Sequence, residues 1–265
     1  MATFFGEVRD IPSRAVDDDE EVDVELPTVF FDLPDFSDMT QLPAYDTVIC
    51  ATGLSPTVFL ESYLISKELR ILGYIRLNPV STPEAEFLGL DYRKQSHVVG
   101  KLCYDEANRT LVCVSEKEVP NESAAEIASY FVELSKSSSL ECLIITALPF
   151  SYYKTAITSE IQFPILRQLK TVSEGDVGGI STLETPNTLS GLGAALLTEC
   201  EVRGLRACLV VQYYETLDSD TVIKLEPCLR IERLRRLLKK SVEQARQNIQ
   251  QLLRHSKIDR GNMYF

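Results

Sequence analysis

Three apolar runs limit the folds open to this chain: Thr47-Val48-Ile49-Cys50-Ala51, Leu140 to Leu148 and Arg206 to Tyr214. Each is strand-length, and each is apolar at consecutive positions, so both faces of the strand have to be covered. Helical patterns stand between them, at Ser123 to Ser137 and at Thr188 to Val202, the second ended by Gly204. Strands covered on two sides and alternating with helices predict an α/β fold with a mainly parallel central sheet flanked by helices.

Thr52-Gly53-Leu54 leads the first strand into a helix capped by Ser55, with Pro56 at its first position. Leu69 to Leu77 is β-rich, and Glu84 to Leu90 reads as a short strand or turn. Val98 to Tyr104 and Thr110 to Val114 form a hairpin across residues 105–109. Pro149 to Pro186 reads as a long irregular connection, and helix resumes from Thr221. Ile231, Leu234, Leu238, Val242, Ala245, Ile249 and Leu252 alternate spacings of three and four, which predicts one amphipathic helix from Ile231 to Leu253. There the pattern stops. Arg254 to Asn262 reads as a polar, flexible lead to three large side chains, Met263-Tyr264-Phe265.

Charge divides the chain. The net charge is -12. Residues 1–40 hold twelve acids against Arg9 and Arg14, a net of -10, whereas Arg230 to Arg260 holds ten basic residues against three acids, a net of +7. The run Asp17 to Asp23 repels itself, so residues 1–44 are expected to be an extended, partly disordered acidic arm. Residues 45–255 are expected to be one α/β domain, and 256–265 a flexible tail. A chain this acidic is a poor partner for nucleic acid, while its basic end suits an acidic protein surface.

Little in the sequence points to catalysis. The seven cysteines, Cys50, Cys103, Cys113, Cys142, Cys200, Cys208 and Cys228, are odd in number, lack a CxxC pair and sit mostly in apolar runs. Buried reduced thiols are expected, with no metal site and no cofactor. No run approaches the roughly 20 apolar residues of a membrane span, and no signal peptide opens the chain, so a cytoplasmic place is expected, with the nucleus as a second compartment. Gly191-Leu192-Gly193 lacks the third glycine of a dinucleotide loop and sits inside a helical pattern, where small residues serve close packing. His97 reads as a strand residue and His255 as a surface one. Two features leave a small-molecule enzyme open: the Thr52–Ser55 turn, able to face an anion, and Lys154, just beyond an apolar strand. A helical adaptor using Ile231 to Leu253 is a further alternative.

Several segments in order resemble proteasome assembly chaperone 1 proteins. They are Met1-Ala2-Thr3-Phe4-Phe5-Gly6-Glu7-Val8 before the acidic run, Tyr153-Lys154-Thr155, the stretch Phe163 to Thr171, Leu183-Glu184-Thr185-Pro186-Asn187 leading into a helix, and Leu225 to Leu229. The resemblance implies a non-enzymatic α/β chaperone that pairs with proteasome assembly chaperone 2 and sits on the proteasome α-subunit ring as it assembles. It also implies that a hydrophobic-Tyr-any ending, here Met263, Tyr264 and Phe265, enters a pocket between neighbouring α subunits. Tyr264 can bury about 150–250 Å², roughly 4–6 kcal/mol before the cost of ordering the segment. The tail alone is therefore expected to bind weakly, with the folded body supplying effective concentration.

Overall fold

The fold is known from a computed structural model that describes residues 29–36, 39–64, 69–78, 97–117, 119–135, 137–155, 163–175, 179–238 and 240–261. Among the described residues eight strands form one sheet: β1 (Val29–Asp32), β2 (Thr47–Thr52), β3 (Arg70–Leu77), β4 (His97–Asp105), β5 (Thr110–Ser115), β6 (Glu141–Pro149), β7 (Ile165–Lys170) and β8 (Arg206–Tyr214). Their order is β1-β3-β4-β5-β2-β6-β8-β7. The expected parallel arrangement holds for the four central strands, β5, β2, β6 and β8. Outside them the pairings β1–β3, β3–β4, β4–β5 and β7–β8 are antiparallel, so the sheet as a whole is mixed. The physical reason is local: the β4–β5 hairpin closes through a tight turn, and only a long crossover could have kept it parallel.

The alternation of side chains along β2 shows why helices cover both faces. Val48 and Cys50 join a core with α2 (Asn121–Glu133) and α3 (Gly191–Val202), through Ile127, Phe131, Leu192 and Leu196. Ile49 and Ala51 point the other way, to α1 (Leu54–Tyr63), α4 (Ser219–Ile223), α5 (Glu232–Arg235) and α6 (Val242–Gly261). All seven cysteines are buried free thiols. Gly193 packs α3 onto the sheet, since a Cβ there would stand 3.2 Å from Ile144 Cγ2 and 3.4 Å from Leu209 Cδ1. Its glycine is there for close approach, as the sequence suggested.

Five expectations are corrected. The cap of α1 is Gly53, at φ 90°, and Ser55 lies inside the helix, donating from its hydroxyl to Gln212 Oε1 at 2.7 Å. The connection after β6 holds strand β7, which sequence patterning missed because Arg167, Gln168 and Lys170 interrupt its alternation. Gln168 is nonetheless buried, donating to the Ile180 carbonyl at 2.5 Å. The helix expected from Ile231 to Leu253 is two pieces, α5 ending at Arg235 and α6 starting at Val242, while Leu234, Leu237, Ala245 and Ile249 all still reach the same core. The polar lead after Leu253 is helical through Gly261. Part of the supposed arm also folds: β1 is a sheet edge, and Phe31 meets Tyr130 edge-on with ring centroids 5.6 Å apart. The acidic run and the Glu84–Leu90 segment lie outside the described residues.

Gly193→Val should lower stability by about 1–3 kcal/mol through overpacking against β6 and β8, measured as a fall in the urea midpoint. An unchanged midpoint would mean that α3 does not seat this closely.

Candidate functional site

Met263, Tyr264 and Phe265 lie outside the described residues, so what the structure supplies is the mounting of the segment that leads to them. That mounting is α6. Ala245, Ile249 and Leu253 are buried in the core shared with α1, and Leu252 is half-buried beside them. Burying side chains of this size stabilises the helix position by roughly 1.5–3 kcal/mol for each Ile or Leu. A polar clasp adds direction. Arg246 donates to both oxygens of Glu226, at 2.8 and 2.7 Å, and the Tyr63 hydroxyl of α1 donates to the same carboxylate at 2.5 Å. The bond to Arg246 comes first in holding Glu226 below its ordinary value, despite partial burial. Lys240 Nζ donates to the Glu61 carbonyl at 3.2 Å, tying the start of α6 to the end of α1.

A second clasp fixes the segment before α6. Arg233 is only 7% exposed, and its guanidinium donates to Glu141 Oε2 at 2.9 Å, to the Cys142 carbonyl at 3.2 Å and to Glu174. Arg206 reaches the same two carboxylates. Burial works to raise the Glu141 carboxyl, yet Arg233 and Arg206 hold it below its ordinary value. One arginine thus joins α5, β6 and the turn after β7. The sequence carried no sign of this, because the partners are 59 and 92 residues away.

Three of the segments singled out for their resemblance meet at the carboxyl ends of β6 and β8. The Tyr153 hydroxyl donates to Glu184, Arg167 Nε donates to Glu184 Oε2 at 3.0 Å, and Arg167 Nη2 donates to the Tyr153 oxygen at 2.9 Å. Asn187 Oδ1 accepts from the Lys154 amide at 2.7 Å, and its Nδ2 donates to the Lys154 carbonyl at 2.7 Å. Tyr153 also stacks at 4.8 Å on Tyr213. Lys154 is thereby a backbone component of a latch between two loops. Phe150 and Tyr152 stand exposed beside it.

The Thr52–Ser55 turn is likewise occupied by its own chain. Gly53 donates its amide to the Ser115 carbonyl at 2.8 Å, Thr52 donates to Thr146 Oγ1 at 2.8 Å, and Ser55 is committed to Gln212. The turn and Lys154 share one end of the sheet, but among the described residues no hydrogen bond or ion pair joins them into a reacting pair. Among the described residues no group of three or more His, Cys, Asp or Glu converges to hold a metal ion. No described helix is long and apolar enough to cross a membrane.

Two expected outcomes follow from the clasps. Arg233→Met leaves Glu141 and Glu174 without their main buried partner and should cost roughly 3–5 kcal/mol, read by urea denaturation. Glu226 and Glu141 have folded pKa values below their ordinary value of 4.5. Their contribution is present above pH 4.5 and is lost as pH falls through the lower folded values. Hydrogen exchange of the α6 amides should therefore accelerate below pH 4.5 beyond the intrinsic rate, and exchange that follows only the intrinsic rate would count against the clasp.

The family model described as proteasome assembly chaperone 4 matches residues 37–265. Proteasome assembly chaperone 1 of Xenopus tropicalis is 28% identical over 295 aligned residues, covering 100% of both chains. Among solved structures, Pyrococcus furiosus PbaA, an archaeal homolog of proteasome-assembly chaperone, superposes with a TM-score of 0.50 at 15% identity, covering 90% of each chain. Pyrococcus furiosus PbaB, an archaeal proteasome activator, superposes with a TM-score of 0.52 at 12% identity, covering 90% of this chain and all of that one. At such identities the two structures speak for the fold alone. The match over residues 37–265, with relatives named proteasome assembly chaperone 1 aligned along the whole chain, places this protein in the proteasome assembly chaperone family, a family of chaperones and not of enzymes.

Proposed function

We propose that this chain is a chaperone for assembly of the proteasome α-subunit ring, working as a heterodimer with proteasome assembly chaperone 2. In this reading it docks Met263, Tyr264 and Phe265 into a pocket between neighbouring α subunits. Ring contact of this kind keeps α subunits from associating off-pathway and keeps regulators from binding early. The observation that carries the reading is the mounting of α6: a helix clamped to the domain by Ile249, Leu253 and the Arg246–Glu226–Tyr63 clasp leads to the three residues. A clamped helix limits the volume that the anchor explores. The tail then acts at high effective concentration once the body has met the ring, which offsets its weak intrinsic affinity. Its place of action is proposed to be the cytoplasm and the nucleus.

The residues once open to an enzymatic reading support this one better. Lys154 and the Thr52–Ser55 turn have backbone and hydroxyl groups engaged in holding the carboxyl edge of the sheet. An adaptor built only on residues 231–253 fits poorly too, because Ile231, Leu234, Ala245 and Ile249 are buried in the chain's own core.

Deleting Met263 to Phe265 should weaken binding to purified proteasome α rings by at least about tenfold, the loss expected when one buried aromatic anchor is removed. Co-purification with proteasome assembly chaperone 2 should be unaffected. Undiminished ring binding would remove the tail from the mechanism, and loss of the partner chaperone would move it to the wrong interface.

A further inference from the structure

The end of the sheet opposite the Tyr153 latch holds a cavity of about 280 Å³, whose lining includes Asp46, Thr47, Asn108, Arg109, Arg233 and Arg236. Its walls are the start of β2, the turn between β4 and β5, and the residues in and just after α5. The three arginines differ in what they already hold. Arg233 is buried and fully engaged by Glu141, the Cys142 carbonyl and Glu174. Arg109 and Arg236 are exposed. The Arg109 guanidinium stands 3.6 Å from Asp46 Oδ2, beyond hydrogen-bond reach, and donates no hydrogen bond to a described residue. Arg236 donates once, from Nε to Glu232 Oε1 at 3.3 Å, and Arg235 holds that same carboxylate at 2.8 Å. Charge-assisted pairs settle at about 2.7–2.9 Å, as Arg246 does with Glu226 and Arg70 with Asp35, both at 2.7 Å. Two guanidiniums with open terminal nitrogens therefore line one cavity. Their backbones are tied together: Asn108 Nδ2 donates to Asp105 Oδ2 at 2.7 Å and to the Arg236 carbonyl at 3.5 Å. Arg109 has φ 47°, a left-handed backbone that Gly or Asn adopts more readily. The turn itself gives no reason for an arginine at this position.

We infer that Arg109 and Arg236 are a two-sided clamp for a phosphoryl group. The inference goes beyond the ring-docking reading and does not rest on it. The ligand class follows from the directions of the donors. One fork comes from the hairpin turn and the other from the segment after α5, so the acceptor has to offer oxygens to two walls. A carboxylate presents its two oxygens along one edge and satisfies a single guanidinium. A phosphoryl group carries three acceptor oxygens and a charge of about -1.5 to -2, so it accepts from both forks at once, a geometry to which arginine is suited. Asp46 also lines the cavity, and its charge works against any weakly charged anion. Inorganic phosphate and a phosphorylated side chain of a peptide both supply this chemistry.

The test follows the side-chain Nε–H signals of Arg109 and Arg236 by NMR in the full chain, at constant ionic strength. Three probes are added separately: inorganic phosphate, a capped Gly-phosphoserine-Gly peptide and the matching Gly-Asp-Gly peptide. Each is taken to about 20 mM, well above a millimolar dissociation constant. The phosphate probes should move both signals together along one saturable curve. The Asp peptide should bind at least about tenfold more weakly, because it reaches one fork and loses the charge-assisted bonds to the other. Arg109→Gln and Arg236→Gln should each weaken the phosphate probes by about tenfold for the same reason. Arg203→Gln, just past α3 and remote from the cavity, should leave them unchanged. Tighter binding of the phosphopeptide assigns the clamp to a phosphorylated side chain, and tighter binding of inorganic phosphate assigns it to the free ion. No saturable shift from either phosphate probe, equal binding of the Asp peptide, or native affinity in both Gln variants would overturn the clamp. The titration of the native chain decides the matter even if a variant fails to fold.

Discussion

Four parallel strands with apolar side chains on both faces cannot stand in water, and most of the architecture answers that constraint. β2 illustrates it: Val48 and Cys50 need α2 and α3, while Ile49 and Ala51 need a second layer on the opposite side. α1 covers only part of that second face. The chain's last segments complete it with Leu234, Leu237, Ala245, Ile249 and Leu253. The carboxyl-terminal region is thus part of the core as well as the carrier of the proposed anchor, and its position follows from the need to cover the sheet.

Polar contacts then decide where the covering helices sit. Apolar burial is non-directional and would tolerate some sliding of α6 along α1. The Glu226 carboxylate, shared by Arg246 and Tyr63, and the Arg233 guanidinium, shared by Glu141 and Glu174, set position because their hydrogen bonds demand particular distances and angles. At the opposite end of the strands the Tyr153–Arg167–Glu184 latch and the Asn187 bonds to Lys154 do the same for two loops. These are the residues that first suggested a family, and their joint role is structural: they close the carboxyl edge where many α/β proteins keep a reactive site. A fold that fills this edge with its own hydrogen bonds is suited to presenting surfaces to other proteins.

Much of this was legible in the residue order. The strands at Thr47–Thr52 and Arg206–Tyr214, the hairpin across residues 105–109 and the packing role of Gly193 could be read because they rest on local periodicity and on residues with no side chain to place. The family was legible from segments in order. β7 was not legible, since Gln168 becomes a core residue only when the Ile180 carbonyl is there to receive its amide. Nor was the break between α5 and α6: a 3.6-residue stripe looks the same whether one helix or two carry it, provided both pieces face the same core.

The sequence by itself determined the layering, because apolar runs of strand length must be covered on two sides, and it determined the segregation of charge, acidic in residues 1–40 and basic in residues 230–260. Only the tertiary structure decided which way the outer strands run, which carboxylates hold Arg233 and Arg246, and that α6 stays helical through Gly261. The reason is one of range. Burial and helix periodicity act between residues a few positions apart, whereas the ion pairs and hydrogen bonds that place the covering helices join residues from 20 to 163 positions apart, where the sequence carries no spacing rule to reveal them.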